Sequence, residues 1–212
     1  MAISEETKKA LASIHVVRGK AYAGETGLET GPEQSAEEEW LLHLNGLKQC
    51  SRTHDWEGAL NLLTYLSTRE GHPKIMAALA QRAWLALKAP VLVTEVTLAL
   101  SALQMKLGLD HPFAAALAAL AFLMAQHRSS GHPEQHLAQQ QAQQMLQLAA
   151  ESARVAAGAE FEHWIMAQRL DDPDYMVPLV MNLLTELIAD DWWIDAEAVQ
   201  RELEQDISEG LV

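Results

Sequence analysis

Three stretches of the chain, GHPKIMAALAQRAW, DHPFAAALAALAF and GHPEQHLAQQQAQ, each set a histidine and a proline before an alanine-rich run. Imidazole is the commonest metal ligand, so His72, His111 and His132 are the first candidates for a shared site. A second candidate is Glu160-Phe161-Glu162-His163, whose Glu-x-x-His spacing puts two ligands on one helix face, as in di-iron carboxylate bundles. Such a centre needs further glutamates and a second histidine, and Glu39 with His43 is the weaker pair available. A third is Cys50 with His54 four residues on, a nucleophile and base if another group orients the imidazole.

Each has a plainer reading. Proline suits the first position of a helix, where its missing N–H has no partner, so His-Pro marks a helix start with histidine at the N-cap. The spacings, 39 and then 21 residues, are unequal and mark no strict repeat. Imidazoles at three helix starts meet only if those helices run parallel and level, whereas consecutive short-looped helices run antiparallel. The favoured reading is loop histidines. Glu-x-x-His occurs in one copy, which favours His163 as an exposed or interfacial residue beside Trp164, and Cys50 reads as a partly buried thiol at a helix end. No glycine-rich phosphate loop, Gly-x-Ser-x-Gly elbow, His-Glu-x-x-His helix or paired-cysteine spacing is present. No catalytic or cofactor-binding residue is assigned, and Glu39, His43, Glu160 and His163 stand as the alternative, a metal set.

Helices must position all of these residues. Ser4 with Glu5 and Glu6 starts a helix that Leu11, Ile14 and Val17 carry to about Tyr22, and GETGLETGPEQ breaks it with three glycines and a proline. Amphipathic spacing then recurs through Trp40, Leu44 and Leu47, through Trp56, Leu60 and Leu63, and through Ile75, Leu79 and Trp84. Val91 to Thr97 favours a strand by residue type, but its length and its continuation into Leu100 and Leu103 favour a helix, and no second strand offers a partner. The run after His111-Pro112 is apolar on nearly every side, which predicts the central helix of a bundle. His132-Pro133 opens an alanine- and glutamine-rich helix reaching about Gly158, and three shorter helices follow.

The expected fold is all-α: antiparallel helical hairpins forming a bundle or short α-solenoid of about ten helices. It divides into an N-terminal helix (1–23), a loop or linker (24–34), a helical-hairpin core (35–170) and an acidic C-terminal helical segment (171–212). Trp40, Trp56 and Trp84 lock the hairpins, and the N-terminal helix packs on the bundle or swaps to a neighbouring copy in a homo-oligomer.

Composition narrows the function. A chain of 212 residues, 49% hydrophobic and 21% charged, buries a real core. Its single cysteine and the acids near its start predict a reducing, cytoplasmic setting. The apolar run from Phe113 to Ala125 falls short of the roughly 20 residues a membrane helix needs, so no membrane is expected as a partner. A net charge of −14 argues against nucleic acid. From Asp171 to Val212 twelve acids face one base, Arg201.

HDWEGALNLLTYL resembles the loop and second helix of a tetratricopeptide repeat, and HPKIMAALAQRAWLAL resembles the helix opening a following repeat. The likeness covers about Ala36 to Lys106. Leu42-His43 replaces the expected Leu-Gly after Trp40, the turn before Trp56 is short, and no 34-residue period continues. The resemblance implies a helical-hairpin scaffold that holds a peptide or protein in its groove, with no chemistry of its own.

The leading expectation is a non-enzymatic bacterial interaction protein without a cofactor: an adaptor, accessory chaperone or immunity-like inhibitor. Its protein partner has a basic surface and meets the acidic C-terminal segment at Trp192, Trp193, Asp190, Asp191 and Asp195. On a helix, adjacent tryptophans point about 100° apart, which leaves one ring for the partner. The opposing reading staples a tryptophan onto Val199 in front of an Asp195 cap. In that case the surface is sought first on the glutamine-rich face from Gln139 to Gln147. Beyond the metalloprotein alternative stands an acidic mimic of DNA.

Overall fold

The computed structural model describes residues 36–127 and 134–208. The predicted helix at 4–22, the linker at 24–34 and the His132-Pro133 pair lie outside the described residues. Within them every regular element is an α-helix: α1 (Ala36–Arg52), α2 (Trp56–Ser67), α3 (Ile75–Lys88), α4 (Val93–Leu107), α5 (Ala114–His127), α6 (Glu134–Ser152), α7 (Ala159–Ala167), α8 (Pro173–Ile188) and α9 (Ala196–Ser208). The all-α class is as expected, and the β-branched stretch at Val93 is helical. Each helix from α1 to α5 packs on the next, α4 also meets α6, α8 lies against α3 and α5, and α9 reaches α3. Among the described residues no helix is long and apolar enough to cross a membrane.

Local chemistry explains the joints. The Asp55 carboxylate caps α2 by accepting the Gly58 N–H at 2.9 Å. A Cβ on residue 58 would fall 2.7 Å from that carboxylate, so glycine lets the cap sit close. The His-Pro pairs lie two residues earlier in their helices' approach than expected. α3 begins at Ile75 and α5 at Ala114, so Pro73 and Pro112 sit in the turns before the helices rather than at their first positions. In each turn the imidazole Nδ1 accepts a backbone N–H two residues on, from Lys74 at 3.2 Å and from Phe113 at 3.3 Å. The histidine carbonyls accept from Ile75 and Ala114. These histidines therefore shape the chain as an aspartate does in an Asx-turn.

The centre of the bundle is α3 rather than the alanine-rich α5. Helix α3 buries eleven of its fourteen residues, including Gln81 and Arg82, whereas α5 buries eight of fourteen. Polar side chains at 81 and 82 disguise α3 as one-faced in sequence. Burial pulls the Arg82 guanidinium below its usual range, and Glu95, 4.0 Å away on α4, opposes the shift.

The boundary expected at 170/171 does not divide the core. Met176, Val180, Leu184 and Ile188 of α8, with Trp193, Ile194, Ala198 and Val199, share one continuous core with α1 to α6. The link from α8 to α9 is held by Gln81. This fully buried side chain donates to the Asp191 carbonyl at 2.8 Å and accepts the Trp193 N–H at 2.8 Å, so both ends of its amide satisfy a passing backbone.

Candidate functional site

The residues expected to meet a partner are placed mostly inward. Trp193 is 8% exposed, with its ring edge-on to Trp40 at 5.9 Å, and Trp192 is half-buried, edge-on to Trp84 at 5.3 Å. Neither indole is a free anchor. The expectation fails because residues 191–194 are not helical. The segment runs between α1 and α3, and the two rings find separate aromatic partners. The Asp195 carboxylate caps α9 by accepting the Ala198 N–H at 2.9 Å, and Asp191 pairs with Lys74. Glu202 accepts from the Trp56 indole at 2.5 Å and faces His54, tying α9 to the α1–α2 turn. Much of the C-terminal acidity is thus spent inside the molecule, and of the five expected residues only Asp190 stands exposed with no cap, pair or ring contact described for it.

The metal set is not assembled. Glu160 and His163 are exposed on α7, whereas Glu39 accepts from the Tyr65 hydroxyl and the Arg69 guanidinium. His43 is buried on α1, stacked on Tyr65 at 3.7 Å with its Nδ1 2.7 Å from the Glu39 carbonyl. Among the described residues no three His, Cys, Asp or Glu side chains gather to hold a metal ion. His72 stacks on Trp40 at 3.5 Å, while His111 lies beside Phe113, so these two imidazoles serve different neighbours.

Nucleophilic chemistry fares no better at the expected pair. Burial, reinforced by the negative charge of Asp55, pushes the Cys50 thiol up to about 11, so it stays protonated at neutral pH. His54 turns instead toward Glu202. A small pocket of about 240 Å³ does collect Asp110, His111 and Ser152, the residue types of a hydrolytic triad. There the His111 Nδ1 accepts a backbone N–H, which leaves the ring proton of the neutral imidazole on Nε2. A base for serine needs the opposite tautomer.

A larger concavity lies elsewhere. An open groove of about 1330 Å³ runs between α5 and α6 on one side and α7 with the start of α8 on the other. Phe122, Leu146, Phe161, Ile165, Leu170 and Met176 supply its apolar surface. Its charged carboxylates are Glu151, Glu162 and Asp171, and among the described residues neither lysine nor arginine lines it, while His127 stands at its edge. Gln143 and Gln147, from the glutamine-rich face considered above, stand on its wall.

Helix α7 makes this groove. It follows Gly158 and precedes Arg169, both with left-handed backbone (φ 86° and 54°), which turn the chain out from α6 and back into α8. None of its nine residues is buried although Phe161, Trp164, Ile165 and Met166 are apolar, and Met166 is 59% exposed. A helix this short and apolar needs a surface to cover it. Below it, Asp172 caps α8 by accepting the Tyr175 N–H at 3.2 Å. A hydrogen bond from Arg169 holds the Asp172 carboxyl below the usual carboxylate range.

Comparison of the chain with models of protein families, with curated proteins and with solved structures finds no match. The site is therefore read from its own residues.

Proposed function

We propose that this chain is a non-enzymatic helical interaction protein, and that its groove between α5, α6, α7 and α8 receives an amphipathic helix of a protein partner with lysine or arginine beside the apolar face. The observation that carries the reading is the pairing of a long apolar floor with a rim whose charged carboxylates, Glu151, Glu162 and Asp171, share the described lining with no lysine or arginine. Size separates the occupant from a small molecule. At about 1330 Å³ the groove exceeds the roughly 300–1,000 Å³ typical of small-ligand sites, and it is open along its side as helix-in-groove recognition requires. The partner with a basic surface expected from the net charge is kept, but its contact moves from Trp192 and Trp193 to the groove, where Asp171, Pro173 and Met176 are the share of the acidic segment. A peptide-holding groove is also what the tetratricopeptide-like stretch implies, although this groove lies outside that stretch.

The test uses an 18-residue amphipathic peptide of leucine and lysine, with a leucine and glutamate peptide as control, titrated by calorimetry. The leucine and lysine peptide is expected to bind with a micromolar Kd and the control not at all. Ile165→Asp should abolish binding. The exposed pair Glu151→Lys with Glu162→Lys should weaken it about tenfold, since surface charge pairs contribute up to about 1 kcal/mol each. Binding that survives all three substitutions contradicts the reading.

A further inference from the structure

The chain carries a segment that matches this groove. On a helix with about 100° per residue, Ala10, Leu11, Ile14, Val17 and Ala21 fall within one arc of about 120°. Lys8 flanks that arc on one side, Lys9 and Lys20 lie on the other, and Arg18 falls within it near its C-terminal end. Residues 4–22 hold four bases, Lys8, Lys9, Arg18 and Lys20, against two acids, Glu5 and Glu6, in a chain whose net charge is −14. This is a largely apolar stripe with basic flanks, closed at its C-terminal end by Arg18, and it suits an acid-rimmed groove.

Resting on the reading of the groove given above, we propose that residues 4–22 of the same chain occupy it and that a partner helix must displace them. The tether allows it. The 13 residues from 23 to 35 span up to about 45 Å when extended, about three times the roughly 15 Å radius of gyration of a domain of this size. Three glycines, at 24, 27 and 31, lie within it. A tether of this kind gives the segment an effective concentration of the order of millimolar at the groove. A contact with a dissociation constant of about 100 μM would then hold the site closed about nine-tenths of the time. The consequence is a threshold: a partner must outbid the chain's own helix before it binds.

Zero-length carbodiimide coupling of the full chain, followed by mass spectrometry of the monomer fraction, tests the contact directly. Amide links from Lys8, Lys9 or Lys20 to Glu151, Glu162 or Asp171 are expected. Their absence from the monomer overturns the proposal, as does their confinement to a covalent dimer, which would mean that copies exchange the segment. A full-length variant with Leu11→Asp and Ile14→Asp should lose these links and bind the leucine and lysine peptide about tenfold more tightly than the unaltered chain. Equal binding by the two chains overturns the proposal while leaving the groove as a partner site. Links in the monomer together with no peptide binding by either chain support the internal contact and refute the partner helix.

Discussion

Trp193→Ala is expected to destabilise the protein by about 3–5 kcal/mol, the range for emptying a large buried aromatic site. For a chain of this length that corresponds to a fall of about 6–20 °C in the thermal midpoint followed by far-ultraviolet circular dichroism. Trp193 is 8% exposed and meets Trp40 edge-on, so its removal leaves a hole between α1 and the link to α9 that neighbouring side chains fill only in part. Trp192→Ala should cost less, about 1–2 kcal/mol, because that ring is half-buried and keeps one face toward solvent. Equal and small effects from both substitutions would return the tryptophans to the surface and reopen the C-terminal segment as a docking site.

Gln81→Leu is expected to be nearly as damaging, at about 2–5 kcal/mol, for a different reason. Leucine fills much of the same volume, so little packing is lost. What remains is a backbone carbonyl at Asp191 and a backbone N–H at Trp193 with their buried partner gone, and an orphaned buried polar group costs about 1–3 kcal/mol. Amide hydrogen exchange should show the effect locally, with Trp193, Asp195 and Val199 exchanging faster by orders of magnitude while α5 and α6 keep their protection. Combined with Trp193→Ala, the double variant should fall short of the sum of the two, since both changes release the same segment. Additive losses would mean that Gln81 does not hold that link.

The helices were legible from sequence because apolar spacing and caps are local. Val93 to Leu107 declared itself by length over β-branched composition, and Asp195 declared itself as a cap by its place before an apolar run. Placement in space was harder to read. Gln81 and Arg82 make α3 look like a surface helix because nothing nearby in sequence reveals that Asp191, Trp193 and Glu95 satisfy them. The paired tryptophans misled for a related reason: the 100° argument holds for helices, and the chain there is not helical and is held by Gln81, 110 or more residues upstream. The groove was the least legible, since its sides come from four consecutive helices whose mutual packing the apolar spacing of each one alone does not encode. Its one local trace was the glutamine face, of which Gln143 and Gln147 line the wall while Gln141 instead pairs with Thr97.

Hydrogen exchange of the full-length protein, with Leu11→Asp and Ile14→Asp to free the groove, in the presence and absence of the leucine and lysine peptide tests the groove most directly. Protection on binding should appear at 119–127, 143–151 and 161–171 and leave 190–199 unchanged. Protection centred on 190–199, or peptide binding with no change along the groove, would contradict the groove as the binding surface.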